Sequence, residues 1–184
     1  MIWKPYTHDG QVFDLSHLDS FEHRFVQAAE NEKPERQYRT WIRFSDHCFT
    51  ESTKSSDDPT LRYGAIKEGR SFDVLRWELS KYLPDIIRSL MERTISHTGH
   101  NNYVTIEILT NQALSAIYPS ERIEYEIYFD VSRDLGDKRL HIVVTSAFPR
   151  DMNRLADRPK FSKIRLSTIL HNVQQNKKIR TTQR

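Results

Sequence analysis

The stretch "RFSDHCFT" at residues 43–50 sets Arg43, His47 and Cys48 close together, and two later stretches hold groups that complement them. "IEYEIYFDV" supplies Glu126 and Tyr128, and "SAFPRD" supplies Ser146, Arg150 and Asp151. An imidazole, a carboxylate, a phenol and guanidinium groups are the set that metal-free RNA cleavage requires. A base removes the 2′-hydroxyl proton, an acid protonates the leaving 5′-oxygen, and cations stabilise the charge building on phosphate. In that scheme His47 is general acid or base, Glu126 its counterpart, Tyr128 a positioning group, and Arg43 and Arg150 clamps on the phosphate. Ser146, with Lys163 and Arg165 further along the chain, adds substrate contacts. Such acid–base chemistry contributes roughly 10²–10⁴-fold to a rate.

Each residue also has a plainer reading. A half-exposed sheet shows Thr, Glu and Tyr to water simply because one side is wet. Pro149 followed by Arg150 and Asp151 is an ordinary exit from a strand. Cys48 is the single cysteine, and adjacent strand residues point to opposite faces, so Cys48 and His47 cannot aim at one target. Cys48 therefore reads as a buried small hydrophobe, and a Cys48-dependent enzyme would need its base from elsewhere. His97 and His100, near Glu92, have the spacing of a weak metal pair with no third ligand at a known interval; two exposed loop histidines describe them better. No metal or cofactor is expected. The chain contains no phosphate-binding glycine loop, dinucleotide glycine pattern, Gly-x-Ser-x-Gly or His-Glu-x-x-His, which argues against ATP-driven, nicotinamide-dependent and zincin chemistry.

These groups have to be positioned by strands. In "YRTWIRFSDHCF", Tyr38, Thr40, Ile42, Phe44 and Cys48 fall on one side, with Arg43, Ser45 and His47 on the other, predicting one strand through Cys48. "NYVTIEIL" turns Val104, Ile106 and Ile108 one way. "IEYEIYFDV" sets Tyr125, Ile127 and Phe129 against Glu124, Glu126 and Tyr128. "RLHIVVTSAF" alternates Leu140, Ile142, Val144, Ser146 and Phe148 against His141, Val143, Thr145 and Ala147. "SRDLGDK" reads as a hairpin loop. Residues 71–93 have a helical apolar stripe, capped by Ser71 or Asp73 and kinked or restarted at Pro84. "KIRLSTILHNVQQNK" reads as a final helix, and "GQVFDLSHL" and "FEHRFVQ" as weaker strands. The order β-β-β-α-β-β-β-α predicts a single α+β domain over 1–184. It consists of an antiparallel sheet of about five to six strands packed on one kinked or split central helix, plus a C-terminal helix. Residues 51–69 read as a mobile loop and 176–184 as a basic tail.

Composition narrows the class. The chain has 184 residues, 37% hydrophobic and 29% charged, with five glycines and a net charge of +3, which suits one globular domain. No apolar run nears the ~20 residues that span a bilayer, and the N-terminus has no secretory h-region. One cysteine forms no internal disulfide, so the expected location is a reducing cytoplasm. From Lys160 to Arg184 there are basic residues and no Asp or Glu, a pattern that can follow a phosphate backbone or form a solvated helix face. The expected partners are RNA and an antitoxin or other protein, with no membrane. A non-catalytic binding or regulatory protein using the basic tail and the 51–69 loop is the rival reading.

The stretches "FSDHCFT", "RSFDVLRWELSKYLPDIIRSL", "YEIYFDVSR" and "SAFPRD" resemble bacterial proteins labelled as stationary-phase growth adaptation proteins. That label names a circumstance and no reaction. A helix followed by an antiparallel meander is also remotely similar in architecture to the barnase–EndoU–colicin–RelE superfamily of small ribonucleases. That resemblance implies metal-independent, toxin-like endoribonuclease activity from His, Glu, Arg, Tyr or Ser on a sheet face.

Overall fold

A computed structural model describes residues 1–30, 34–65, 67, 69–99, 101–118, 120–134, 136, 139–150 and 161–179. In chain order the elements are β1 (Tyr6–His8), β2 (Gln11–Phe13), β3 (Phe21–Gln27), β4 (Arg36–Phe44), β5 (Thr50–Ser52), β6 (Arg62–Tyr63) and β7 (Arg70–Phe72). There follow α1 (Val74–Ser80), α2 (Leu83–Arg88), β8 (Thr94–His97), β9 (Asn102–Leu109), α3 (Gln112–Ser115), β10 (Arg122–Arg133), β11 (Leu140–Pro149), β12 (Ser162–Arg165) and α4 (Leu166–Gln174).

The main sheet has seven strands in the order β12-β8-β9-β10-β11-β4-β3, curled into a half-barrel. Every neighbouring pair is antiparallel except β11 and β4, which run parallel from Leu140↔Thr40 to Val144↔Phe44. Strand accounts for 43% of the structure, and the helices are short. The expected α+β arrangement, a small antiparallel sheet lying on one central helix, is therefore incorrect.

The helix expected over 71–93 fails for local reasons. Arg70–Phe72 pairs as a strand with β5, so the helix cannot begin at Ser71. Asp73 caps instead, its carboxylate accepting from the Arg76 N–H. Pro84 then restarts the chain as α2, sitting in the first turn where its missing N–H costs nothing. Two short helices cover far less of a sheet than one long one. The core closes instead by curling the sheet around Phe25, Tyr38, Ile42, Tyr125, Ile127, Phe129 and Ile142, with Leu79, Leu83, Ile87, Leu166, Ile169 and Leu170 packed inside.

Residues 51–69 hold the end of β5, a 3-10 turn at Pro59–Leu61 capped by Asp58, and β6; together with β7 they form a separate three-stranded sheet. The final helix is present as α4, but Ile164 and its neighbours belong to edge strand β12.

Candidate functional site

The site begins with a fault in the strand pairing. Between β10 and β11 the register runs Phe129↔Val144 and then Tyr128↔Ser146, leaving Thr145 as the extra residue of a β-bulge. Strict alternation predicts Ser146 and Phe148 on the core side with Leu140, Ile142 and Val144. The bulge reverses that parity: Ala147 is buried opposite Ile127, while Ser146 and Phe148 join the Glu126–Tyr128 face. The bulge also ends the parallel ladder, so β4 stops at Phe44 and does not continue through Cys48.

The residues after Phe44 are fastened onto that bulge. The Ser45 N–H donates to the Val144 carbonyl at 2.9 Å and the Ser45 hydroxyl to the Thr145 carbonyl at 2.8 Å. Asp46–Cys48 then form a 3-10 turn. His47 is consequently a half-exposed turn residue, its Nε2 3.9 Å from Asp46 Oδ1. Burial holds its imidazole below 6.5, Arg70 and Arg76 add to the effect, and Asp46 opposes it, so the ring is neutral at pH 7. Cys48 is wholly buried, and burial pushes its thiol up to about 12.

Cross-strand register sets out the opposite face in rows, because directly paired residues project to the same side. One row reads Lys163, Ser96, Tyr103, Tyr128 and Ser146; the next reads Thr105, Glu126 and Phe148. The Tyr103 and Tyr128 rings stack with centroids 5.1 Å apart, and Tyr128 and Phe148 stack at 5.7 Å. The Arg76 guanidinium covers Phe148 at 5.5 Å from the ring centre, and Phe161 meets Tyr103 edge-on at 5.8 Å.

Beside this ladder of rings, Glu126 is buried. It accepts from the Tyr128 hydroxyl at 3.1 Å and from the Arg150 guanidinium at 3.4 Å. Arg150 is also buried and lies 3.7 Å from the more exposed Glu124. Its backbone N–H donates to the Glu124 carbonyl at 2.7 Å, which holds the side chain on the sheet just past Pro149. Burial, with the Glu126 carboxylate next, pushes the Tyr128 phenol up to about 12, so it keeps its proton and donates.

The structure thus brings Glu126, Tyr128 and Arg150 into direct contact, with Ser146 on the Tyr128 row. Among the described residues no hydrogen bond or ion pair joins the His47 ring to them; Arg76 reaches only the His47 main-chain carbonyl, at 3.4 Å, while lying over the neighbouring Phe148 ring. Arg43 is exposed on β4, level with Val143. Lys163 and Arg165 are not in a helix. They are exposed on edge strand β12, three strand spacings (about 14 Å) from β10, and Arg165 lies 3.6 Å from Glu30.

His97 corrects another expectation. It sits buried in β8, its Nδ1 2.8 Å from Asn102 Oδ1, because β8 and β9 pair at that point. His100 and Asp151 lie outside the described residues, as does part of the basic tail. Among the described residues no three His, Cys, Asp or Glu side chains gather as a metal-holding group. No helix is long and apolar enough to cross a membrane.

Sequence reasoning set Tyr103 on the Glu126–Tyr128 face but missed Arg76 and Phe148. Arg76 lies in a segment legible only for its apolar stripe, and Phe148 is placed correctly only once the bulge is known.

A sequence model of the YjaZ family matches residues 5–174. The chain is 32% identical over 182 residues to Protein YjaZ of Escherichia coli (strain K12), an alignment covering 96% of this chain and 93% of that protein. No solved structure matches the chain.

Proposed function

The chain belongs to the YjaZ family, and from the chemistry of its sheet face we propose that it is a metal-independent endoribonuclease. The observation that carries this reading is the contact of Glu126 with both the Tyr128 hydroxyl and the Arg150 guanidinium, beside a stack of rings. His47, neutral at pH 7, accepts the 2′-hydroxyl proton. As the 2′-oxygen bonds to phosphorus and the phosphorus–5′-oxygen bond breaks, the Tyr128 phenol turns its proton from Glu126 to the leaving 5′-oxygen; water then returns a proton to Tyr128 and takes the one held by His47. Arg150 and Arg43 face the charge on phosphorus, and Ser146 contacts the substrate. The reading rests on these side chains and not on a helix-and-meander architecture, which the structure lacks. Its setting is a reducing cytoplasm in stationary-phase growth adaptation, with RNA as substrate and a protein inhibitor of the antitoxin kind.

One observation favours a second reading, RNA binding without cleavage. The partly exposed Tyr128 and Phe148 rings beside Arg76 resemble the surfaces on which single-stranded bases stack, with the buried Tyr103 supporting them from behind.

A fluorescent single-stranded RNA in excess EDTA tests both readings. The wild-type protein should cut it, and His47→Ala and Tyr128→Phe should each slow cutting by about 10²-fold or more. His47→Ala should leave the melting temperature unchanged, since the ring is half exposed. Binding without cutting selects the second reading; neither binding nor cutting overturns both.

A further inference from the structure

The small sheet of β5, β7 and β6 carries a concentration of positive charge that the proposed cleavage does not use. A cavity of about 120 Å³ opens there, lined by Thr53, Arg62, Tyr63, Gly64, Gly69 and Arg70. Gly64 and Gly69 bound it with φ of +70° and +57°, a backbone that favours glycine and brings the main chain to the cavity without side chains.

Arg70 is partly buried. It donates through Nε to the Thr50 hydroxyl at 3.0 Å and through one terminal nitrogen to the Thr50 carbonyl at 2.6 Å. Its other terminal nitrogen has a long 3.5 Å contact with the Ser52 hydroxyl. Arg76 converges on the same Thr50 carbonyl at 2.8 Å. Two guanidiniums on one oxygen repel each other. Among the described residues, none of Arg62, Arg70 and Arg76 is ion-paired to a carboxylate, and the Arg62 guanidinium makes no side-chain hydrogen bond. Among the described residues, Glu51 pairs with Lys54 at 2.9 Å, and the Asp46 carboxylate, 3.9 Å from a neutral His47, offsets only part of the positive charge at Arg70. Tyr63 and Thr53 add a phenol and a hydroxyl, the latter 2.9 Å from the Ser71 hydroxyl.

We infer that this cavity is a phosphoryl-anion site in which Arg62 and Arg70 grip the phosphate oxygens. Guanidinium forks match phosphate geometry, and an anion held by Arg62 and Arg70 offsets the positive charge that Arg70 shares with Arg76. The site stands whether or not RNA is cut. The phosphoryl group belongs either to a small phosphate ester or to the 5′-end of a nucleic-acid strand.

Calorimetric titration with inorganic phosphate, 5′-AMP and paired 5′-phosphorylated and 5′-hydroxyl oligoribonucleotides tests it, against chloride at equal ionic strength. Phosphate should bind, and Arg62→Ala and Arg70→Gln should each weaken it by about tenfold. Arg62 is exposed, so that variant folds, and Arg24→Ala on β3 should bind as wild type. If the 5′-phosphorylated strand binds about tenfold tighter than its 5′-hydroxyl twin, the strand end is the source. If phosphorylation of the strand is immaterial while 5′-AMP binds, a small ester is the source. Phosphate acting no differently from chloride, or binding Arg62→Ala and Arg70→Gln like the wild type, overturns the site.

Discussion

The Ser45 hydroxyl donates to the carbonyl of Thr145 at 2.8 Å, joining residues a hundred positions apart at the point where the parallel ladder stops. Thr145 is the bulged residue, so no ladder partner satisfies that carbonyl, and Ser45 stands in for the missing strand. Ser45→Ala should therefore cost about 1 kcal/mol, the usual worth of one such bond. Urea unfolding of the wild type and the variant measures it. An unchanged midpoint would mean that water replaces Ser45 without loss.

Glu126 and Arg150 form an ion pair that is nearly sealed from water, at 3.4 Å. Truncating one member leaves the other charge buried. Glu126→Ala should destabilise the fold by about 3 kcal/mol, since it leaves the guanidinium to the more distant Glu124. Glu126→Gln keeps acceptor capacity for the Tyr128 hydroxyl and should lose less. The double variant Glu126→Leu with Arg150→Met should recover much of the stability. Equal losses for Glu126→Ala and the double variant would contradict the argument, and denaturant midpoints decide it.

Parts of this arrangement were legible in the sequence. Strict alternation in β10 placed Tyr125, Ile127 and Phe129 on one face and Glu126 and Tyr128 on the other, as the cross-strand register shows. The expected solvent-facing side is not simply wet, since Glu126 is buried there. The same reasoning failed in β11 because alternation carries parity only up to a bulge, and "VVTSAF" has no glycine to announce one. The pairing of β4 with β11 depends on contacts between distant segments, which no local pattern encodes. Between Ser71 and Arg93 the apolar spacing is helical, yet it describes two short helices and a preceding strand. Asp73 and Pro84 decide where the helices start. Arg76 was hidden for the same reason: on a helix stripe it is one polar residue among several, and only the fold brings it over Phe148.

Stability should fall as the pH drops below about 6.5. Burial holds the imidazoles of His17, His23, His47 and His171 below their usual 6.5. Between that value and their lower folded values the unfolded chain binds more protons, so acid favours unfolding. The carboxylates of Asp14, Glu22 and Asp58, held low chiefly by hydrogen bonds from Ser16, Arg39 and Thr60, extend the loss at still lower pH. His17 carries part of the first slope because burial, with the Lys81 charge adding to it, disfavours its protonated ring. Urea midpoints between pH 7.5 and pH 5 should fall for the wild type and fall less for His17→Gln. A flat profile would sink this account.

Cys48 supplies a last test, of its fastening under the bulge. Its sulfur lies 3.9 Å from the Val144 carbonyl, and its side chain is sealed among core residues. With the thiol raised to about 12 by burial, almost no thiolate exists near pH 8, and no reagent reaches it in the folded chain. A chromogenic disulfide reagent should titrate no thiol in native protein and one in denaturant. The rate of slow native labelling should follow global unfolding, so Ser45→Ala, by loosening the turn that carries Cys48, should speed it. Rapid labelling of native protein would instead require an exposed thiolate, and with it a Cys48-centred chemistry that this packing denies.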